Sequence, residues 1–224
     1  RLFHGVAHRW KPIALGLAAV AATAWLLSGL VAVEPDEVAV VQRFGRFEGE
    51  LGPGLHWRLP WPIDTVRRVK PAEIKVVAID FRPRGFGEDD EDNDAVPVED
   101  AATWTSSHGD PNRPLGMSLF TGDRNLIDVR ASVQYRIDGP RQYLLGSRRP
   151  RAAIRSAAEG VFREIVAGRT FIDLLTTQRL DLQQQVAARL EARLQSLAPE
   201  GIGVRITGVI IHDMHPPVPV ARGY

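Results

Sequence analysis

Residues 13–33 read IALGLAAVAATAWLLSGLVAV, with no charge and no proline. As a helix rising about 1.5 Å per residue, the stretch is roughly 30 Å long, the thickness of a bilayer's hydrocarbon core. A soluble chain of this size rarely needs a helix buried on every side. A secretory signal has a shorter apolar region, about 7–15 residues, ahead of its cleavage site. The reading is a single N-terminal transmembrane helix over 13–33, preceded by a tail at 1–12. Ala14, Ala18 and Ala22 recur at every fourth position, which lets a second helix approach closely in lipid. The alternative for these alanines is simply an alanine-rich composition.

The flanks orient the span. Arg1, Arg9 and Lys11 precede it, whereas Glu34, Asp36 and Glu37 follow. Positive flanks stay in the cytoplasm, so the N-terminus is expected there and everything after Val33 on the far side. The whole chain has 28 Lys+Arg against 27 Asp+Glu, a net charge of +1. Nucleic acid is therefore not expected as a partner, because phosphate binding needs a basic excess. Cysteine is absent, which removes disulfides, thiolate metal sites and cysteine nucleophiles. The chain opens on Arg1, from which a longer parent protein is expected.

Beyond the span, EVAVVQRF (37–44) reads as a strand, and the glycines of GRFEGELGPG mark tight turns. In the next stretch Leu55, Trp57, Leu59, Trp61 and Ile63 alternate with polar or turn-forming residues, so an extended chain puts all five on one side. Pro60 and Pro62 keep this piece out of a sheet interior. Tryptophan favours the level where hydrocarbon meets headgroups. These five are the candidate membrane-interface residues, an ordinary domain core being the alternative.

Strands are expected at 65–69 and 73–81. From Gly85 to Pro114 the chain turns acidic and buries too little to offset ordering entropy, so a solvated loop is expected. Its carboxylates do not follow the spacing of an EF-hand calcium loop. LIDVRASVQYRI (126–137) alternates cleanly, with Ile127, Val129, Ala131, Val133, Tyr135 and Ile137 on one face. The period then becomes helical. Ile154, Ala158, Val161 and Ile165 share a face within 151–166, a short piece covers 171–175, and Leu182, Val186, Leu190, Leu194 and Leu197 point inward from 178–197. Pro199 and Gly201 stop that helix. A last strand at 202–211 is expected to aim Ile202, Val204, Ile206 and Ile210 one way. The class is α+β. The expected divisions are a membrane-proximal subdomain at 34–115 with the acidic loop at 85–114, a second at 116–217, and the start of a C-terminal extension at 218–224.

No GxSxG, HExxH, Walker or GxGxxG pattern occurs. His212 and His215 have a ligand-like spacing, but Pro216 and Pro217 follow at once and no third ligand is identifiable by pattern. Ser106, Ser107 and His108 lack an ordered partner for nucleophilic catalysis. No catalytic, cofactor or metal residue is assigned, and no cofactor is expected.

The runs VEPDEVAVVQRFGRF…GPGLHWRLPWPID, FTGDRNLIDVRASVQYRI and GIGVRITGVIIHDMHPP together resemble the HflK branch of the stomatin, prohibitin, flotillin and HflK/C superfamily. The resemblance covers about 33–218 in order and spacing, apart from the acidic loop. It implies two small α+β subdomains, the first against the membrane, in a single-pass protein of the bacterial inner membrane with a periplasmic body. It further implies large ring or cage oligomers, with itself or with an HflC-like paralogue, that regulate the membrane AAA protease FtsH and organise lipid without catalysis. Family members continue past the PP motif into a coiled-coil helix, which is expected to be missing or to lie outside these 224 residues. Two other readings stay open: a membrane-anchored hydrolase subunit, and a monomeric membrane-tethered lipid-binding module.

Overall fold

The computed structural model describes residues 6–79, 118–176 and 179–217. The chain forms two compact units, Arg1–Pro71 and Ala72–Tyr224. The acidic stretch at 85–114, with Ser106, Ser107 and His108, lies outside the described residues.

The first unit opens with helix α1 (Val6–Leu27). It ends six residues before the expected Val33. Ser28 and Gly29 close its last turn, Ser28 N–H donating to Ala24 O at 3.1 Å and Gly29 N–H to Leu26 O at 3.2 Å. The reason for the early end lies in the partner strand. Leu30–Val33 is β1, and it pairs antiparallel with β4 (Gly54–Trp57). Gly29 makes the junction possible, because a Cβ there would collide with the Arg58 carbonyl oxygen. Among the described residues, no helix is long and apolar enough to cross a membrane.

A second, three-stranded antiparallel sheet completes the unit. Its strands are β2 (Val38–Arg43), β3 (Arg46–Leu51) and β5 (Asp64–Val69), in the order β3-β2-β5. Val33, Ala39, Val41 and Leu51 form its buried core, with Val31 and Val66 packed against them.

The second unit is built on β8 (Leu126–Ile137). All six residues of its expected apolar face are buried, Tyr135 and Val133 completely. β8 pairs antiparallel with β6 (Lys75–Ile79), with the short β7 (Leu119–Phe120) and, over most of its length, with β9 (Val204–His215). This pairing explains why the structural boundary falls at Pro71 instead of near 115. The strand expected at 73–81 has its hydrogen-bond partner in β8, so it belongs to the second unit.

Helix α2 (Pro140–Leu145) follows β8. Helix α3 (Pro150–Ala167) packs on β6 and β7, and α5 (Arg179–Ser196) packs on α3 and β9, with α4 (Phe171–Thr176) between them in sequence. Ile154, Ala158, Val161 and Ile165 are buried as the period requires, and so are Leu182, Val186, Leu190 and Leu194. Leu197 is 52% exposed, because α5 ends at Ser196 and no longer carries it inward.

The expected face of the last strand also changes. Ile202 is buried, Val204 and Ile206 are half-buried, and Ile210 is exposed while Val209, Ile211 and Met214 are buried. The register against β8 shifts twice, leaving Thr207 and His212 as extra residues on β9. Each bulge moves the following side chains to the opposite face.

The TGDRN turn between β7 and β8 fastens the second unit. Asp123 accepts the Phe171 N–H with both carboxylate oxygens, at 3.1 and 3.2 Å, at the start of α4. Thr121 Oγ accepts the Asn125 N–H at 3.0 Å, and Gly122 N–H donates to Arg169 O at 2.7 Å. The Thr121 hydroxyl's bond to Asp123, followed by the Phe171 and Asn125 donors, holds that carboxyl below the usual carboxylate range.

Candidate membrane-contact site

The charge-free part of α1, from Ile13 on, is exposed on every side, including Ala14, Ala18 and Ala22. Leu15 is 74% and Val20 68% exposed. Three side chains between Ile13 and Ser28 carry polar donors, and each is directed to a backbone carbonyl. Thr23 Oγ donates to Ala19 O at 2.9 Å, Ser28 Oγ to Trp25 O at 2.7 Å, and Trp25 Nε1 to Trp61 O at 3.0 Å.

The helix end is strapped to the loop after β4 from both directions. While Trp25 reaches Trp61 O, Trp57 Nε1 donates back to Leu26 O at 3.0 Å, and Arg58 N–H donates to Gly29 O at 2.9 Å. The two-stranded ribbon β1–β4 extends from this junction. Its register sets Leu30 opposite Trp57 and Ala32 opposite Leu55, and all four are exposed. Val31 and Val33 face the other way, into the core. One face of the ribbon is thus wholly apolar and open.

The five expected interface residues do not form one row. Leu55, Trp57 and Trp61 are exposed, Trp61 at 77%, but Leu59 and Ile63 are half-buried. The extended run stops at Trp57, and the turn in which Ile63 N–H donates to Pro60 O breaks the alternation. Leu30, expected within the helix, joins this face instead, and only its pairing with Trp57 of β4 puts it there. Phe44, 75% exposed at the β2–β3 turn, was also missed.

A buried carboxylate holds the loop. Asp64 is 5% exposed, and Arg43, its cross-strand partner, grips it bidentately at 2.9 and 3.1 Å. The Leu59 N–H adds a longer bond at 3.3 Å. The Arg43 hydrogen bonds hold the Asp64 carboxyl below the usual carboxylate range, against a burial that pushes it up. The PWPID run ends on the group that fixes the turn before it.

Among the described residues, no three His, Asp or Glu side chains gather in a metal-holding group. His212 Nε2 lies 2.8 Å from Ser132 Oγ, whereas His215 Nε2 faces Asp213 at 3.2 Å. Ser132 is 4% exposed in the middle of β8, so its hydroxyl is held inside the sheet and not presented to a substrate.

Residues 31–222 match the SPFH domain / Band 7 family. The chain belongs to that family. Within it the resemblance is to the HflK type: 26% identity to Protein HflK of Treponema pallidum (strain Nichols) over 194 residues, 86% of this chain and 53% of the relative. Identity is also 26% to Modulator of FtsH protease HflK of Escherichia coli (strain K12), covering 89% of this chain and 38% of that protein. Protein HflK of Haemophilus influenzae is 24% identical, covering 97% and 43%. The chain spans about half or less of the length of these relatives. The mixed helix-and-sheet units above give this SPFH chain an α+β fold.

Proposed function

We propose that the chain is the membrane-proximal part of a non-enzymatic scaffold of the HflK type. Its anchor in this reading is the uncharged stretch 13–33, the part of α1 from Ile13 on together with β1, with the N-terminus in the cytoplasm and everything after Val33 outside it. It assembles into rings or cages, with copies of itself or an HflC-like paralogue, and regulates an FtsH-like membrane protease in the bacterial inner membrane. The observation that carries the anchoring is the helix itself. From Ile13 on it exposes apolar side chains all round, and the three side-chain donors between Ile13 and Ser28 are satisfied by backbone carbonyls, as hydrocarbon surroundings demand.

The apolar ribbon face and Trp61 continue the helix and suit the headgroup level, where ribbon edges still reach water. Leu55, Trp57 and Trp61 are the contacts of this reading, Leu59 and Ile63 their half-buried support, and Ala14, Ala18 and Ala22 a face for a second helix. The regulatory role rests on the relatives, one of which is described as a modulator of FtsH protease.

Particles extracted from the native membrane with their lipid should image as closed multi-copy rings that carry an AAA protease. Small single particles without it would sink the scaffold reading.

A further inference from the structure

The β2–β3 hairpin turns through two residues, Phe44 and Gly45, with Arg43 and Arg46 paired across it. Both turn residues have positive φ, 48° and 79°. A turn of this form favours Asn-Gly, because a left-handed backbone crowds any larger side chain. Here a phenylalanine occupies the strained position, and its ring is 75% exposed. Local folding energy favours neither property. A bulky apolar residue kept at a strained, open turn points to a contact outside the unit.

The backbone around the turn says which contact. Phe44 N–H donates to Ile63 O at 2.9 Å, two residues from Trp61, whose carbonyl holds Trp25 of α1. The Arg43–Asp64 pair locks the same corner. The turn is therefore tied through one short loop to the helix end and to the open apolar ribbon. Arg46, exposed at the far side of the turn, suits a headgroup level where long basic side chains keep their charge in water.

Resting on the membrane-contact reading above, we infer that Phe44 is a further lipid contact, a turn-tip anchor inserted at the same bilayer interface as the ribbon. The chain has no cysteine, so single replacements make unique label sites. The full chain carrying F44C, L55C or E50C, each labelled with a polarity-sensitive fluorophore, is reconstituted in phosphatidylethanolamine/phosphatidylglycerol vesicles doped with nitroxide lipid. Glu50 is exposed on β3, well along the strand from the turn. The expected result is quenching at 44 as strong as at 55 and clearly stronger than at 50. Quenching at 55 but not at 44 overturns the inference and leaves the ribbon reading standing. Quenching at neither overturns both. A blue-shifted but unquenched label at 44 marks a protein neighbour and overturns it as well. F44N is the companion variant, since asparagine tolerates the left-handed turn: its thermal midpoint should be unchanged or higher. A clear drop would make Phe44 a structural residue and overturn the proposal.

Discussion

At the residue scale, Asp64 shows how a charge can serve geometry. Burying a carboxylate is costly unless its partner and further donors are in place. Here Arg43 supplies two bonds and the Leu59 amide a third. Replacing Asp64 with asparagine keeps the shape but removes the charge, and should cost about 1.5–3 kcal/mol, the range for hydrogen bonds to a charged group. The pH dependence has a definite sign. Because the folded pKa is depressed, the pair's contribution is fully present above the unfolded carboxyl value, about 3.9, and is lost as pH falls through the folded one. Urea midpoints of the parent chain and D64N should therefore differ most near pH 7 and converge below about pH 4. A gap that stays constant with pH would mean that the charge of Asp64 contributes nothing.

At the element scale, β9 is where the sequence pattern and the structure part. Alternation alone puts Ile210 with Ile206, yet the bulge at Thr207 buries Val209 and Ile211 and turns Ile210 outward. Ile211→Ala should cost about 2–4 kcal/mol, the range for emptying a packed site, and Ile210→Ala less than about 1 kcal/mol. Thermal midpoints of the two variants check this, and equal losses would contradict the register. The two strands also show what was legible beforehand. β8 was readable over its full length because it is central, with one face sealed by helices, so hydrophobicity had to follow the pleat. A bulge leaves no such mark, since either face of VIIH is apolar enough to be core. α1 was misread at its end for a related reason. SGLVAV is apolar whether it continues a helix or forms a strand, and only pairing with GLHW, more than twenty residues away, decides. The Trp loop was half legible: the tryptophans were visible, but the role of Asp64 was not, because its partner Arg43 lies in another strand.

At the scale of the whole molecule, two units with separate cores make separate unfolding transitions the natural expectation. Of the five tryptophans, Trp10, Trp25, Trp57 and Trp61 belong to the first unit, so indole fluorescence reports mainly on it. Far-ultraviolet dichroism at 222 nm is weighted toward helix. α1 should keep its helix in a detergent micelle, where water does not compete for its backbone, so the change seen in urea comes mostly from α3 and α5 of the second unit. A urea titration of the full chain in mild detergent should therefore give two non-coincident curves. The variants argued above sharpen the test. D64N should move the fluorescence curve and leave the dichroism curve in place, and Ile211→Ala should do the reverse. If both variants moved both curves together, the two units would unfold as one cooperative body, and the division at Pro71 would describe packing alone.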